Sequence, residues 1–529
     1  MTSTSPRSTT SRLRTTSSVS GTSTAPGLLV AGTTSDAGKS VVTTGLCRAL
    51  ARRGISVAPY KAQNMSNNSM VCVAADGTTA EIGRAQWVQA LAAKVAPEPA
   101  MNPVLLKPGT DRRSHVVLMG HPAGDVSATD WATGRGHLAQ AAHDAFDDLS
   151  TRFDIVIAEG AGSPAEINLR SGDYVNMGLA RHADLPTVVV GDIDRGGVFA
   201  AMYGTVALLG ADDQRLIAGF VVNKFRGEAS LLRPGLDSLE HLTGRRVFGV
   251  LPWDPTLWLD SEDALDLAGR RASSAAARKV AVIRLPRISN FTDVDALGLE
   301  PDLDVVFATD PRDLSDADLI VLPGTRSTTA DLEWLRSRGL DTAITEHVRR
   351  GRPLLGICGG FQMLGTTISD PHGVERTVSS GSAIDNGVTM DGVTVHGLGL
   401  LDIRTEFAVD KTLALPTGTW RGAPAGGYEI HHGRITRGSG EEFLGGARSG
   451  LVFGTMWHGS LEGDELRHTF LGEALDLSPT PVSFPAARER RMDRLADLVE
   501  QHLDVDALID LAHQGAPSDL PLLPPGGAS

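Results

Sequence analysis

Cysteine is scarce in this chain. Three occur in 529 residues, at 47, 72 and 358, and none stands at a paired spacing. That excludes a disulfide framework and a zinc ribbon, and it fits a reducing cytosol. No run of about 18 apolar residues is present, so no membrane-spanning helix is expected. Positive charge is lacking too. The net charge is −14, and no basic stripe exists to neutralise phosphates, which disfavours nucleic acid as the main partner. Aromatic residues make up 5% of the chain and hydrophobic residues 41%, the balance of an ordinary globular protein. The length suits two or three domains, and no repeat at solenoid periods is visible.

Residues 1–26 are Ser/Thr-rich, with three Arg and no acid. That composition resembles a transit peptide, but it also describes a tail that cannot bury enough apolar surface to fold, which is the reading adopted. It has no apolar core of a secretory signal. From 27 to 264, short Val/Ile-rich runs such as "LLVAG", "ISVAPYK", "FDIVIAEG", "PTVVVGDID" and "IAGFVVNK" alternate with amphipathic stretches such as "AEIGRAQWVQALAAKV". The alternation predicts an α/β domain with a parallel sheet covered by helices on both faces. Residues 265–279 read as a linker. A second doubly wound α/β domain is expected over 280–475, a helical extension over 476–513 and a frayed tail over 514–529.

What is present is more specific. "LLVAGTTSDAGKSVVTTGL" (28–46) runs from a strand through a small polar loop into a helix. The helix start offers backbone N–H groups without intrahelical partners and a favourable dipole for anions. Thr34, Ser35, Asp36, Ala37, Gly38, Lys39 and Ser40 would cradle the phosphates of a nucleotide, with Lys39 on the outer phosphates and Ser40 on Mg²⁺. The usual glycine is displaced by one place, to Gly32, so a plain strand-to-helix turn with a surface lysine is the alternative. "IAEGAGSPAEINL" (157–169) ends a buried strand on Glu159. A carboxylate there is costly unless paired or bound to metal, and it falls on the sheet edge where such folds bind ligands. Glu159 is the candidate to face the same Mg²⁺, with a turn carboxylate as the alternative.

"RPLLGICGGFQMLG" (352–365) places Cys358 between a strand and a helix, flanked by Gly356, Gly359 and Gly360. This is the logic of a nucleophile elbow with a thiol in place of a hydroxyl, and the helix N-terminus favours thiolate. A base is required. His458, at the tip of "LVFGTMWHG", is the best candidate, with His431 and His432 of "GYEIHHGR" competing.

The first motif, with "EGAG" on a later strand, resembles the dethiobiotin-synthetase-like ATPases, in which ATP activates a carboxylate by phosphorylation. That resemblance implies a second acidic metal ligand, best matched by Glu81. "GICGGFQMLG" with "WHG" resembles the class I glutamine amidotransferases. Their oxyanion hole implies Gly324, in "VLPGTRSTT", and the N–H of Gly359. Those enzymes carry a Glu two residues after the His; here the position is Ser460. That departure marks the cobyrinic and cobyric acid synthase branch, and it leaves open what orients His458. "YKAQNMSNNSMV", "DIDRGGVFA", "VNKFRG" and "GYEIHHGR" fit the same branch, over roughly residues 27–505. The resemblance implies ATP- and glutamine-dependent amidation of corrinoid carboxylates. The expected substrate is adenosylcobyrinic acid a,c-diamide, at its b, d, e and g carboxylates. Amidation of the a and c carboxylates is the rival, and a non-catalytic P-loop switch with an inactive glutaminase-like domain is another. Lys61, Gln63 and Asn64 are expected near substrate or phosphates. Asp192, Asp194 and Arg195 fall at a strand end on the ligand edge. No tightly bound cofactor is expected, no residue is assigned to cobalt, and the oligomeric state and the ammonia route stay open.

Overall fold

A computed structural model describes residues 26–110, 113–127, 135–254, 278–375 and 393–526. Most of the expected N-terminal tail, and the expected linker as far as residue 277, lie outside them. The last two linker residues, Arg278 and Lys279, open a strand instead.

Two parallel sheets carry the molecule. In the first, the strand order is Arg246–Pro252, Ile217–Phe225, Thr187–Asp192, Gly27–Gly32, Ile155–Glu159 and Val57–Tyr60, and every pairing is parallel. The central strands are buried on both faces, as their continuous apolar runs require. The second sheet orders Leu303–Ala308, Arg278–Ile283, Leu319–Leu322, Leu354–Ile357, Val452–Thr455 and Ala447–Ser449. Its pairings are parallel except the last, an antiparallel edge.

Four smaller pieces stand beside them, two hairpins and two sheets of mixed parallel and antiparallel pairing. A hairpin pairs Ser69–Val73 with Thr79–Gly83. The stretch from Ala80 therefore begins as a strand, and its helix starts only at Arg84. Alternation explains this, because Ala80 and Ile82 face one packed side and Glu81 the other. Gln63–Met65, Val104–Thr110, Arg113–Leu118 and His121–Ser127 form a small sheet, and Thr367–Asp370, Val393–His396, Ile403–Ala414 and Glu429–Arg437 form another. Thr417–Trp420 and Ala423–Gly426 make a further hairpin. Tyr428 and Ile430 of the second half pack into the apolar cluster of the first, so the two halves share a buried seam.

The C-terminal helix Phe484–His502 packs on the helix Lys39–Arg52 that follows the polar loop, and Val505–Gln514 packs on the strands Gly27–Gly32 and Arg246–Pro252. Met492, Val499, Leu508 and Leu511 join Val42, Leu46 and Leu50 in one cluster. Arg48 meets Asp493 at 2.8 Å and also Glu489, and Arg52 meets Asp497 at 2.6 Å. Exposed pairs of this kind are worth about 0–1 kcal/mol each, so the apolar contact anchors the helices. Arg48 is buried, and there the acids offset the desolvation of its charge. The expected frayed tail is a correction. Leu523 is buried, its N–H and carbonyl are both bonded to the Gln214 side chain, and Arg245 donates to Pro521 O. An apolar side chain with satisfied backbone groups gives the tail a docked position.

Candidate active site

The polar loop sits at the C-terminal edge of the first sheet, where Gly38 (φ 92°) leads into the helix Lys39–Arg52. Lys39 is buried and folds back over the loop. Its Nζ donates to Thr34 O (3.0 Å), Ser35 O (3.1 Å) and Gly162 O (3.2 Å). This explains the displaced glycine. A Cβ at Gly32 would stand 2.9 Å from Thr34 O and 3.0 Å from Lys39 Cγ, so the loop carbonyl, with the lysine stem beside it, disfavours any side chain there. Ala37 O accepts from Asn223 Nδ2 at 2.9 Å, and Asp36 pairs with Arg195 at 3.1 Å.

Glu159 is fully buried at the end of its strand. Oε1 accepts from Ser40 Oγ (2.9 Å) and Lys61 Nζ (3.0 Å), and Oε2 from Gln89 Nε2 (2.6 Å). Burial works to raise its pKa, but Lys61 and Lys39 outweigh it and hold the carboxyl below its ordinary value. Ser40 and Glu159 thus come together, with Lys61 beside them. Gln89 carried no sequence signal, being one polar residue on a helix. Gln63 instead accepts from Tyr174 OH at 2.6 Å and from Arg135, and Asn64 donates to Gln86 at 3.0 Å. Asp192 takes Lys224 at 2.9 Å and Asp194 takes Arg226 at 3.2 Å, while Arg195 reaches the loop through Asp36.

Glu81 is a correction. Its oxygens accept from Lys107 (2.5 Å), Ser69 (2.7 Å) and Lys411. It lies in a separate ion-pair cluster rather than on Ser40, because the strand Thr79–Gly83 turns its side chain towards the other half of the molecule. Among the described residues no cluster of three or more His, Cys, Asp or Glu could hold a metal. Ser40 with Glu159 is a hard-oxygen pair suited to Mg²⁺ when phosphate oxygens complete the shell.

In the second sheet, Cys358 takes φ 49° and ψ −109° between the strand Leu354–Ile357 and the short helix Gly359–Met363. Such a conformation costs about 1–3 kcal/mol in a non-glycine residue and clusters at functional sites. The strain therefore sits on the cysteine, not on its flanking glycines. They serve close approach instead: a Cβ at Gly360 would lie 1.9 Å from Leu322 O.

His458 is buried, and its ring is fixed from three sides. Nδ1 meets Asp293 Oδ2 at 2.7 Å, the Tyr428 ring stacks at 5.3 Å, and Gly324 closes over Cε1. Nδ1 being taken, the other ring nitrogen is the one left for the Cys358 sulfur, which lines the same cavity. Asp293 Oδ1 also accepts from Gly459 N at 2.8 Å. Burial disfavours imidazolium, but Asp293 and then the Cys358 sulfur outweigh it and raise the His458 pKa to about 10. Asp293 is the orienting group that sequence reasoning missed. In "RISNFTDVDAL" it reads as an acid on a surface turn. Glu462, the acid nearest His458 in sequence, pairs with Arg84 (3.0 Å) and Arg488 (2.7 Å).

Gly324 and Gly359 both stand at the elbow, and the Gly359 N–H opens a helix, where donors lack intrahelical partners. A cavity of about 300 Å³ is lined by Cys358 and His458, by Arg326 and Glu375, by Lys107 of the first half and by Lys411 of the second. His431 and His432 line it as well. Burial, with Lys411 and Arg326 nearby, lowers His432 to about 4, so it carries no charge at neutral pH.

A phosphate-binding loop on one sheet and a thiol–imidazole–carboxylate set on the next define a glutamine-hydrolysing amide synthase. Residues 28–266 match the CobQ/CobB/MinD/ParA nucleotide binding domain, and residues 279–466 the CobB/CobQ-like glutamine amidotransferase domain. The cobyric acid synthase of Mycolicibacterium gilvum (strain PYR-GCK) is 73% identical over 501 residues, 94% of this chain and 99% of that one. The cobyric acid synthase of Mycobacterium tuberculosis (strain ATCC 25618 / H37Rv) is 70% identical over the same spans. Among solved structures, that of a glutamine amidotransferase aligns with 37% of this chain and 99% of its own, at 17% identity and a TM-score of 0.28. The chain belongs to the cobyric acid synthase family, whose work is amidation in cobalamin biosynthesis.

Proposed function

We propose that the chain amidates the b, d, e and g carboxylates of adenosylcobyrinic acid a,c-diamide, giving adenosylcobyric acid, with one ATP and one glutamine per amide. One observation carries this reading: both reactive sites lie on one chain, and residues of the nucleotide-binding half help to line the cavity that holds Cys358. The near full-length relatives supply the substrate class.

At Cys358 the thiolate attacks the glutamine side-chain amide, and the N–H groups of Gly324 and Gly359 face the developing oxyanion. His458, held as imidazolium by Asp293, passes its proton to the departing nitrogen. Ammonia leaves, and water then cleaves the thioester to glutamate. At the other site Lys39 neutralises phosphate charge, and the substrate carboxylate attacks the terminal phosphorus of ATP, releasing ADP. Ammonia displaces phosphate from the acyl phosphate to give the amide. Ser40 and Glu159 would hold Mg²⁺, which when bound neutralises charge on the phosphates. Lys61, on Glu159, keeps that carboxylate ionised. Lack of paired cysteines supports a cytoplasmic setting.

The test is mass spectrometry of the protein incubated with ATP, Mg²⁺, glutamine and adenosylcobyrinic acid a,c-diamide. Each conversion of carboxylate to amide lowers the mass by about one unit. A product four amidations on is expected. An unchanged corrinoid with glutaminase intact would overturn the substrate assignment and point to the a and c carboxylates.

A further inference from the structure

Glu81, fully buried, takes cations from both halves of the molecule. Lys107 belongs to the first half. Lys411 lies in the strand Ile403–Ala414 of the second, where pairing with Glu429–Arg437 loses register between Phe407 and Thr412. Such irregularities re-aim a side chain beside an active site, and here Lys411 reaches Glu81. Burial opposes the Glu81 charge, but Lys107 and then Lys411 hold the carboxyl far below its ordinary value. Lys107 is pulled down to about 8, by burial first, against the pull of Glu81, with the like charge of Lys411 adding to the fall. Buried pairs of this kind contribute little net stability, and their best-attested use is to fix register.

The cluster touches both sites. Ser69 Oγ donates to Glu81, and Ser69 N donates at 3.0 Å to Asn290 Oδ1. Asn290 (φ 51°) caps the turn Phe291–Val294, which bears Asp293. Lys107 and Lys411 also line the Cys358 cavity. In the other direction, the strand of Glu81 continues into the helix Arg84–Ala92, whose Gln89 holds Glu159. Ammonia that escapes into water becomes ammonium, which is no nucleophile, so a seam that slips loses product.

We propose that the Lys107–Glu81–Lys411 cluster is a clasp that registers the glutaminase pocket against the synthetase, so that ammonia freed at Cys358 stays in the interdomain cavity and reaches the acyl phosphate. Its members are positioning residues. The proposal rests on the reading of the two sites given under Proposed function.

The experiment compares glutamate released with amide formed, using the full chain with ATP, Mg²⁺, glutamine and the corrinoid. Lys411→Met removes only the arm from the second half and leaves the Glu81–Lys107 pair. Glutamate per amide should rise about threefold or more. Glutaminase turnover, and amidation from added ammonium chloride, should stay within about twofold. Lys411→Arg should restore the parent ratio. A parent-like ratio in Lys411→Met overturns the clasp. So does a raised KM for glutamine with the ratio unchanged, which would make Lys411 a glutamine-binding group. If the parent itself forms no amide, the functional reading falls. The clasp is then judged by whether ATP stimulates glutaminase: stimulation lost in Lys411→Met supports it, and stimulation kept overturns it.

Discussion

Glu159 and Asp293 are both buried carboxylates facing cations, but they are built in opposite ways. Glu159 collects single donors from three separate elements, Ser40, Lys61 and Gln89. Asp293 takes both its bonds from two successive residues, His458 and Gly459. Separate donors can be exchanged one at a time for a ligand's oxygens, which suits a site that must take in and release nucleotide. Two bonds from one loop fix a plane and an angle, which suits a ring that must hold one orientation through a covalent cycle. Ground-state charge is costly in both places. One site offsets it with replaceable partners, the other with a partner that never leaves.

The sharpest way to break this comparison is to silence one side. Cys358→Ser should lower glutamine-dependent amidation by ~10³-fold or more while amidation from ammonium salts at alkaline pH persists; loss of both would make Cys358 structural. Lys39→Ala should lower amidation from either nitrogen source by about 10²-fold or more, and normal turnover in a steady-state assay would sink the phosphate-loop reading. Asp293→Asn keeps the shape and removes the charge. Glutaminase kcat should fall about 10²-fold with KM for glutamine little changed, and a KM effect alone would deny it the orienting role.

The mildest test sharpens the comparison through pH. The His458 pKa is raised from 6.5 to about 10. A group whose pKa rises on folding contributes stability that is full below its unfolded value and is lost as pH climbs through the folded one. The ion pair with Asp293 should thus support the fold fully below about pH 6.5, and its contribution should fade towards pH 10. Calorimetric Tm should fall more steeply over that window in the parent than in Asp293→Asn. Parallel curves would show that the pair carries no such linkage.

Both loops were legible because each is a contiguous stretch. In 28–46 and 352–365 the chemistry comes from local backbone turned by small residues, so the residues that make the site also spell it. Even so, the reason for Gly32 was visible only once Thr34 O and the Lys39 stem were seen to close over it, and that the elbow's strain falls on Cys358 itself was visible only in its backbone angles. Glu81 was matched by resemblance alone, within a stretch read as helical, whereas the strand Thr79–Gly83 carries it to Lys107 and Lys411. The C-terminal helices could be read from their spacing, but nothing in that spacing names the helix Lys39–Arg52 or the strand Gly27–Gly32 as a partner.

By itself, then, the sequence determined the two parallel-sheet halves, the phosphate loop, Ser40 with Glu159, and a thiol elbow with His458, since all of these follow from apolar runs and short-range backbone geometry. Tertiary structure alone decided the partners that long chain separations bring together. Asp293 meets His458 across 165 positions, Lys411 meets Glu81 across 330, and Arg48 meets Glu489 across 441. Each rests on a charge whose burial makes a partner necessary, and burial is a property of the packed molecule that no local stretch of chain records.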